Sequence, residues 1–287
     1  MAAVTTRQAP TAQAPVLPAP SGRAGFGGTV RSEFTKIGSV RSTYWTLLML
    51  FAVSVGLGAA ISAVVAADWS QQQQQPGGAP PNIYDTTQIS IAALLYLGQL
   101  VIVVLGALVL TAEYTTGMIR TSLIAMPRRI VIYVAKAVAF GAVALVVSLA
   151  TAFTAFFLGQ SLLASSHHSA TLAGPGVLRA VIGSALYLTL CGLFAFAAAA
   201  IIRNTAATIT AMLGLLFVIP VLVNMLPDSW WHDIVRWLPT SAARAISVTV
   251  GPQDPYLFSP WGQLAVFAVC TAALLVVGGI LFRKRDA

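Results

Sequence analysis

The 287 residues are 57% hydrophobic and only 8% charged, with 16 Lys and Arg against 8 Asp and Glu and a net charge of +8. A water-soluble domain carries about 25% charged residues, so composition excludes an ordinary soluble enzyme or binding domain and leaves a membrane protein. The basic excess gathers beside apolar segments, where an anionic inner leaflet accounts for it better than nucleic acid, and no nucleic-acid partner is expected.

Residues 1–28 are rich in Ala, Pro, Thr and Gly and hold no apolar core. They read as a disordered cytoplasmic tail rather than a cleavable signal. From Val30 to Tyr44 the period becomes helical. Val30, Phe34, Ile37 and Tyr44 can share one face, with Arg31, Glu33, Lys36 and Arg41 mostly elsewhere. Such a helix would lie in the inner interface, unless the stretch is only a basic flank that orients the first span.

Six apolar segments follow, at about 45–67, 89–112, 130–159, 177–202, 205–226 and 261–282. At about 1.5 Å per residue each is long enough for a ~30 Å hydrocarbon layer, and only helices satisfy their backbone amides there. The first outer loop, with Gln71–Gln75 and a Pro-Gly run, reads as a flexible polar connector. After the second span, Glu113 closes the helix, Gly117 permits a turn, and residues 118–126 can form a short helix that Pro127 ends. That segment suits docking into a partner's groove, or is an ordinary turn with basic flanks. His167 and His168 stand among serines without carboxylate or Cys company and read as a solvated loop rather than a metal site.

The gap from Pro227 to Pro260 is the longest. Trp230, Trp231, Ile234, Trp237 and Leu238 have the spacing of an apolar helix face ended by Pro239, and Ala242–Val250 can form a second helix. Tryptophan favours the headgroup boundary, so an outer re-entrant or interfacial hairpin is expected. Asp228, His232 and Asp233 allow a catalytic reading, but no nucleophile or metal spacing accompanies them. Cys191 and Cys270 read as small core residues. Within the spans Lys136 lies near the inner edge, where its stem can snorkel. Gln99, Thr151 and Asn224 are polar positions that either line a substrate path or bond between helices.

Thirteen of the sixteen basic residues flank one side of these spans, against Arg179, Arg236 and Arg244 on the other. Short basic loops stay in the cytoplasm. The expected fold is therefore an all-α membrane protein with six transmembrane helices and both termini cytoplasmic.

Two patterns carry a resemblance. E-Y-x-x-G-x-x-R-x-x-L-x-x-x-P-R-R over 113–129 and R-S-E-x-x-K-x-x-S-V-R-S-x-x-W over 31–45, together with six spans and the Trp-rich outer loop, resemble the ABC type-2 transporter permeases of actinobacteria. The resemblance covers about residues 29–287, as one six-span ABC type-2 transmembrane domain. It implies a multi-pass subunit of an ATP-driven exporter in a bacterial cell membrane, working as a homodimer or with a second permease among membrane lipids. It also implies that Arg31, Glu33 and Lys36 and the loop residues Glu113, Tyr114, Gly117 and Arg120 couple to a separate cytoplasmic ABC ATPase. The chain has no phosphate-cradling G-x-x-x-x-G-K-[ST] loop and no mid-span carboxylates of the kind that relay protons. It is therefore expected to be no enzyme and to bind no cofactor, with ATP on the partner. A drug, lipid or peptide antibiotic suits the spans equally as substrate.

Overall fold

The computed structural model describes residues 25–74, 85–115, 129–166, 169–250 and 254–284. Among these, every regular element is helical. A short helix, α1 (Phe26–Ser39), precedes the first long one, α2 (Arg41–Gln74). Then come α3 (Thr86–Thr115), α4 (Arg129–Leu163), α5 (Val177–Ile202) and α6 (Thr205–Val223). Two short helices, α7 (Asp228–Val235) and α8 (Pro239–Ser247), lead to α9 (Pro260–Lys284). Six of these helices, α2 to α6 and α9, are long and apolar enough to cross a membrane, and the chain is a multi-pass membrane protein.

Several boundaries depart from expectation for identifiable reasons. The helical stretch foreseen over Val30–Tyr44 breaks at Val40, whose extended backbone separates α1 from α2, and the Tyr44 hydroxyl donates to the Gly38 carbonyl at 2.6 Å across the bend. Gln71–Gln74, expected in a flexible connector, continue α2, because glutamine is a good helix former and no breaker comes before Pro76. The fifth span ends at Val223 rather than 226 and contains a π-helical turn at Gly214–Val218. Pro220 would clash with the carbonyl four residues earlier in a regular helix, and the widened turn accommodates it. Pro239 does not merely end α7. It opens α8 in the first turn, where its missing N–H costs nothing.

α5 lies at the centre, packed against α3, α4 and α9. Its inner faces are small, with Ala180, Ala185, Ala195, Ala197, Ala199 and Ala200 fully buried. At its crossing with α3 the backbones nearly touch. A Cβ on Gly106 would stand 2.2 Å from the Gly192 carbonyl oxygen, so dispersion contacts between backbones replace side-chain interdigitation. Gly183 makes room for a side chain instead, since a Cβ there would collide with Ile246 of α8. Gly56, by contrast, faces nothing within 4 Å.

One end of the bundle collects α1, the finish of α3, the start of α4, the α5–α6 turn and the finish of α9. There α1 packs on α4, Arg203 covers Tyr114, and the Tyr133 and Phe282 rings meet at 5.5 Å. Among the described residues Arg31, Lys36, Arg41, Arg129, Lys136, Arg203, Arg283 and Lys284 belong to this basic end. Arg179, Arg236 and Arg244 belong to the opposite end, with the α7–α8 hairpin. Trp230 and Trp237 of that hairpin are exposed, whereas Ala242 and Ile246 of α8 are fully buried against the bundle.

Candidate functional site

At the basic end, three separate helices contribute to one ionic cluster, buried at Glu33 and Lys136 and half-buried at Lys36 and Glu113. Lys136, from the first turns of α4, donates to Glu33 Oε2 of α1 at 2.6 Å and to Glu113 Oε1 of α3 at 2.8 Å. Lys36, one turn beyond Glu33 on α1, donates to Glu33 Oε1 at 2.8 Å and lies 3.6 Å from Glu113 Oε1. Two ammoniums thus alternate with two carboxylates, and the formal charges cancel. Glu33 is 2% exposed and Lys136 3%. Burial alone would raise the Glu33 carboxyl, but the ammoniums of Lys136 and Lys36 override it and hold the group below its usual range. Burial likewise pulls Lys36 down, and the Glu33 and Glu113 carboxylates outweigh it, so Lys36 titrates above its ordinary range.

This geometry corrects the snorkelling expected of Lys136, whose ammonium is held inward by two carboxylates. It also turns Glu33 towards the protein. The periodicity of α1 set Glu33 apart from the apolar residues, yet Glu33 is buried and Phe34 is exposed. Taking an ion out of water costs several kcal/mol, so such a cluster is a poor source of net stability and a good means of fixing α1 in one place. Beside it, Tyr114 lies under the Arg203 guanidinium, 5.2 Å from ring centroid to Cζ. Arg203 closes α5 in the left-handed conformation, at φ 58°, with its amide donating to Ala199. Arg31 stays exposed on α1. Gly117 and Arg120 lie outside the described residues, as do the foreseen 118–126 helix and the His167–His168 pair.

The hairpin end holds a cleft of about 530 Å³ between α2, α3, α6 and the two short helices. Both π-helical turns border it, Leu95 and Tyr96 from Leu94–Gly98 in α3 and Leu216 and Phe217 from α6. Such turns reaim side chains and recur at functional positions. Gln99 lines the cleft just after the first turn, 3% exposed, its Oε1 accepting from the Tyr187 hydroxyl at 2.7 Å. Asn224 lines it beyond α6, with Oδ1 accepting from Trp231 Nε1 at 3.0 Å. Thr151 is elsewhere. It is fully buried on α4, and its hydroxyl donates to the Val147 carbonyl at 2.7 Å.

Residues that sequence reasoning passed over shape this end. Asp85 caps α3 through the Gln88 amide at 3.0 Å. The same carboxylate accepts from the Thr249 hydroxyl at 2.7 Å, the Val250 amide at 3.0 Å and the Thr249 amide. It therefore pins the exit of α8 to the entry of α3, which is why α8 stops at Ser247 and does not run to Val250. Arg179 donates to the Val248 carbonyl at 2.6 Å, and Gln263 to that of Arg236 at 2.5 Å. The hairpin is thus tied to α3, α5 and α9. Asp85-Thr-Thr-Gln88 before an apolar run is a capping-box pattern, and that signal was available.

In the hairpin, His232 stacks on Tyr256 at 3.6 Å between centroids, and Asp233 pairs with Arg236 at 2.6 Å. Each already has a structural partner. No group of three or more His, Cys, Asp or Glu side chains at metal-holding distance occurs among the described residues. No protein-family model matches the chain, and no curated protein matches it.

Proposed function

We propose that this chain is the membrane-embedded permease subunit of an ATP-binding cassette exporter, driven by a separate cytoplasmic ATPase. The observation that carries the reading is the Glu33–Lys36–Lys136–Glu113 ionic cluster. It locks an amphipathic helix, α1, to α3 and α4, the spans on either side of residues 116–128, so a push on α1 or on that connection reaches both spans together. A passive gate needs such a rigid receiving element. The charge bias towards this end supports its cytoplasmic placement. The exposed Trp230 and Trp237 suit an outer-leaflet position for the α7–α8 hairpin.

In this reading nucleotide closure on the partner displaces the basic end, and the cleft at the other end, bordered by Gln99 and Asn224, is one half of the substrate path. A second permease, identical or similar, supplies the other half. The wall is mostly apolar, with the amides of Gln88, Gln99 and Asn224 and the charged Asp85 and Arg244 among its lining, which suits an amphipathic drug, lipid or peptide antibiotic. In this reading Glu113, Tyr114, Gly117 and Arg120 serve in coupling, with Arg31, Glu33 and Lys36 in support. ATP and its hydrolysis belong to the partner.

The test is purification of the tagged chain from its native membrane in mild detergent, followed by assay of MgATP hydrolysis in the eluate. A stoichiometric nucleotide-hydrolysing polypeptide is expected. Transport by the purified chain alone in ATP-free liposomes would refute the proposal. Arg120→Glu should insert normally yet lose the partner or uncouple hydrolysis from transport, and wild-type transport by that variant removes Arg120 from the coupling surface.

A further inference from the structure

A second cavity, about 520 Å³, opens on the outer flank of the bundle between α4 and α9, with α5 at its base. Ile130, Val134, Val138, Leu193, Val276 and Ile280 line it, and Gly141 and Gly279 keep it open. Among its lining side chains only Tyr133 carries a polar atom, and that hydroxyl is turned to the Leu275 carbonyl at 3.2 Å. The wall is therefore purely apolar. From Ile130 to Ala142 along α4 it extends about 18 Å, close to half of a ~30 Å hydrocarbon layer. Val138 and Val276 are 48% and 62% exposed, so the groove faces whatever surrounds the protein.

Its mouth at the basic end is cationic. Arg129 immediately precedes Ile130, and Arg283 and Lys284 stand four residues beyond Gly279 and Ile280. Four residues bring a helix back to the same face one turn on. Arg283 and Lys284 are both exposed. We propose that this groove is a binding site for one anionic phospholipid, its acyl chain along α4 and α9 and its phosphate among Arg129, Arg283 and Lys284. Charge decides the occupant. A second copy docked through the same groove about a two-fold axis would bring the same cations face to face. A phosphate-headed chain one leaflet long matches both the apolar length and the charged mouth. The inference needs only a multi-pass protein and is independent of the transport reading.

The experiment is native mass spectrometry of the full chain equilibrated with phosphatidylglycerol or phosphatidylcholine of identical acyl chains. One retained phosphatidylglycerol per chain is expected, bound more tightly than phosphatidylcholine. Arg283→Gln with Lys284→Gln should weaken phosphatidylglycerol about thirty-fold and leave phosphatidylcholine unchanged. Val138→Trp, which fills the groove from an exposed position, should abolish retention of both. Val146→Trp, on the same helix outside the groove and 67% exposed, should abolish neither and shows that an added indole is tolerated. Equal retention of the two lipids by the wild-type chain overturns the proposal. So does undiminished retention by Val138→Trp, or a dimer that Val138→Trp dissociates with no change in lipid.

Discussion

Replacing Lys136 by Met removes the ammonium that two carboxylates share and keeps the length of the side chain. Glu33 and Glu113 would then face each other with only Lys36 nearby, and Lys36 is 37% exposed at the side chain while the carboxylates are 3% and 12% exposed. Breaking a buried ion pair by removing one partner costs about 3–5 kcal/mol. Lys36 retains part of the compensation, which places the expected loss near the lower bound, about 3 kcal/mol. On the scale of about 2–4 °C per kcal/mol for a chain of this size, the melting temperature in lipid nanodiscs should fall by roughly 6–12 °C. The double variant Lys136→Met with Glu113→Gln restores a balanced pair of Glu33 and Lys36 and should recover more than half of that loss. Arg41→Met, an exposed charge at the start of α2, serves as the control and should move the melting temperature by less than about 2 °C. Wild-type melting of Lys136→Met, or a double variant no better than the single one, would show that the cluster does not hold α1.

Three further outcomes follow from the same contacts. Stability of the α1 attachment should be flat across neutral pH and fall at both extremes, as read by melting curves. The lowered Glu33 value makes its contribution present above the ordinary 4.5 and lost as pH falls through its folded value, while the raised Lys36 value makes its contribution present below the ordinary 10.5 and lost as pH rises past it. A profile that declines between pH 6 and 9 contradicts this. Asp85→Ala removes a helix cap and strands the Thr249 and Val250 amides, costing about 2–4 kcal/mol, and hydrogen exchange should quicken at 249–250 while α5 stays protected. Gly106→Leu drives carbon into the Gly192 carbonyl and should cost about 3 kcal/mol or prevent folding, whereas Gly56→Leu, with open space around it, should express and melt as the wild type does.

The six spans were readable because a hydrocarbon layer admits only long apolar helices, and the segregation of Arg and Lys to one end was readable because it recurs at every other turn. The ionic cluster was not. Glu33 and Lys136 are 103 residues apart, and periodicity separates faces of a helix without saying which one meets protein. Asp85 stood in a capping pattern that was passed over, and its grip on Thr249, 164 residues away, depends on the hairpin folding back over α3. The distortion in α6 went unread, although Pro220 stands within that span. The matching turn at Leu94–Gly98 has no such residue to betray it. Gln99 and Asn224 stood out as amides in apolar surroundings, and both border the cleft; Thr151, chosen as a further polar position, satisfies its own helix instead.

The claim that the basic end receives force from inside the cell is tested most directly at Arg31, exposed on α1. In a Cys191→Ala, Cys270→Ala background, Arg31→Cys should resist a membrane-impermeant maleimide in intact cells. In inverted vesicles it should react fully and cross-link to an ATP-hydrolysing polypeptide. Ready labelling in intact cells would put that end outside, and the account would fail.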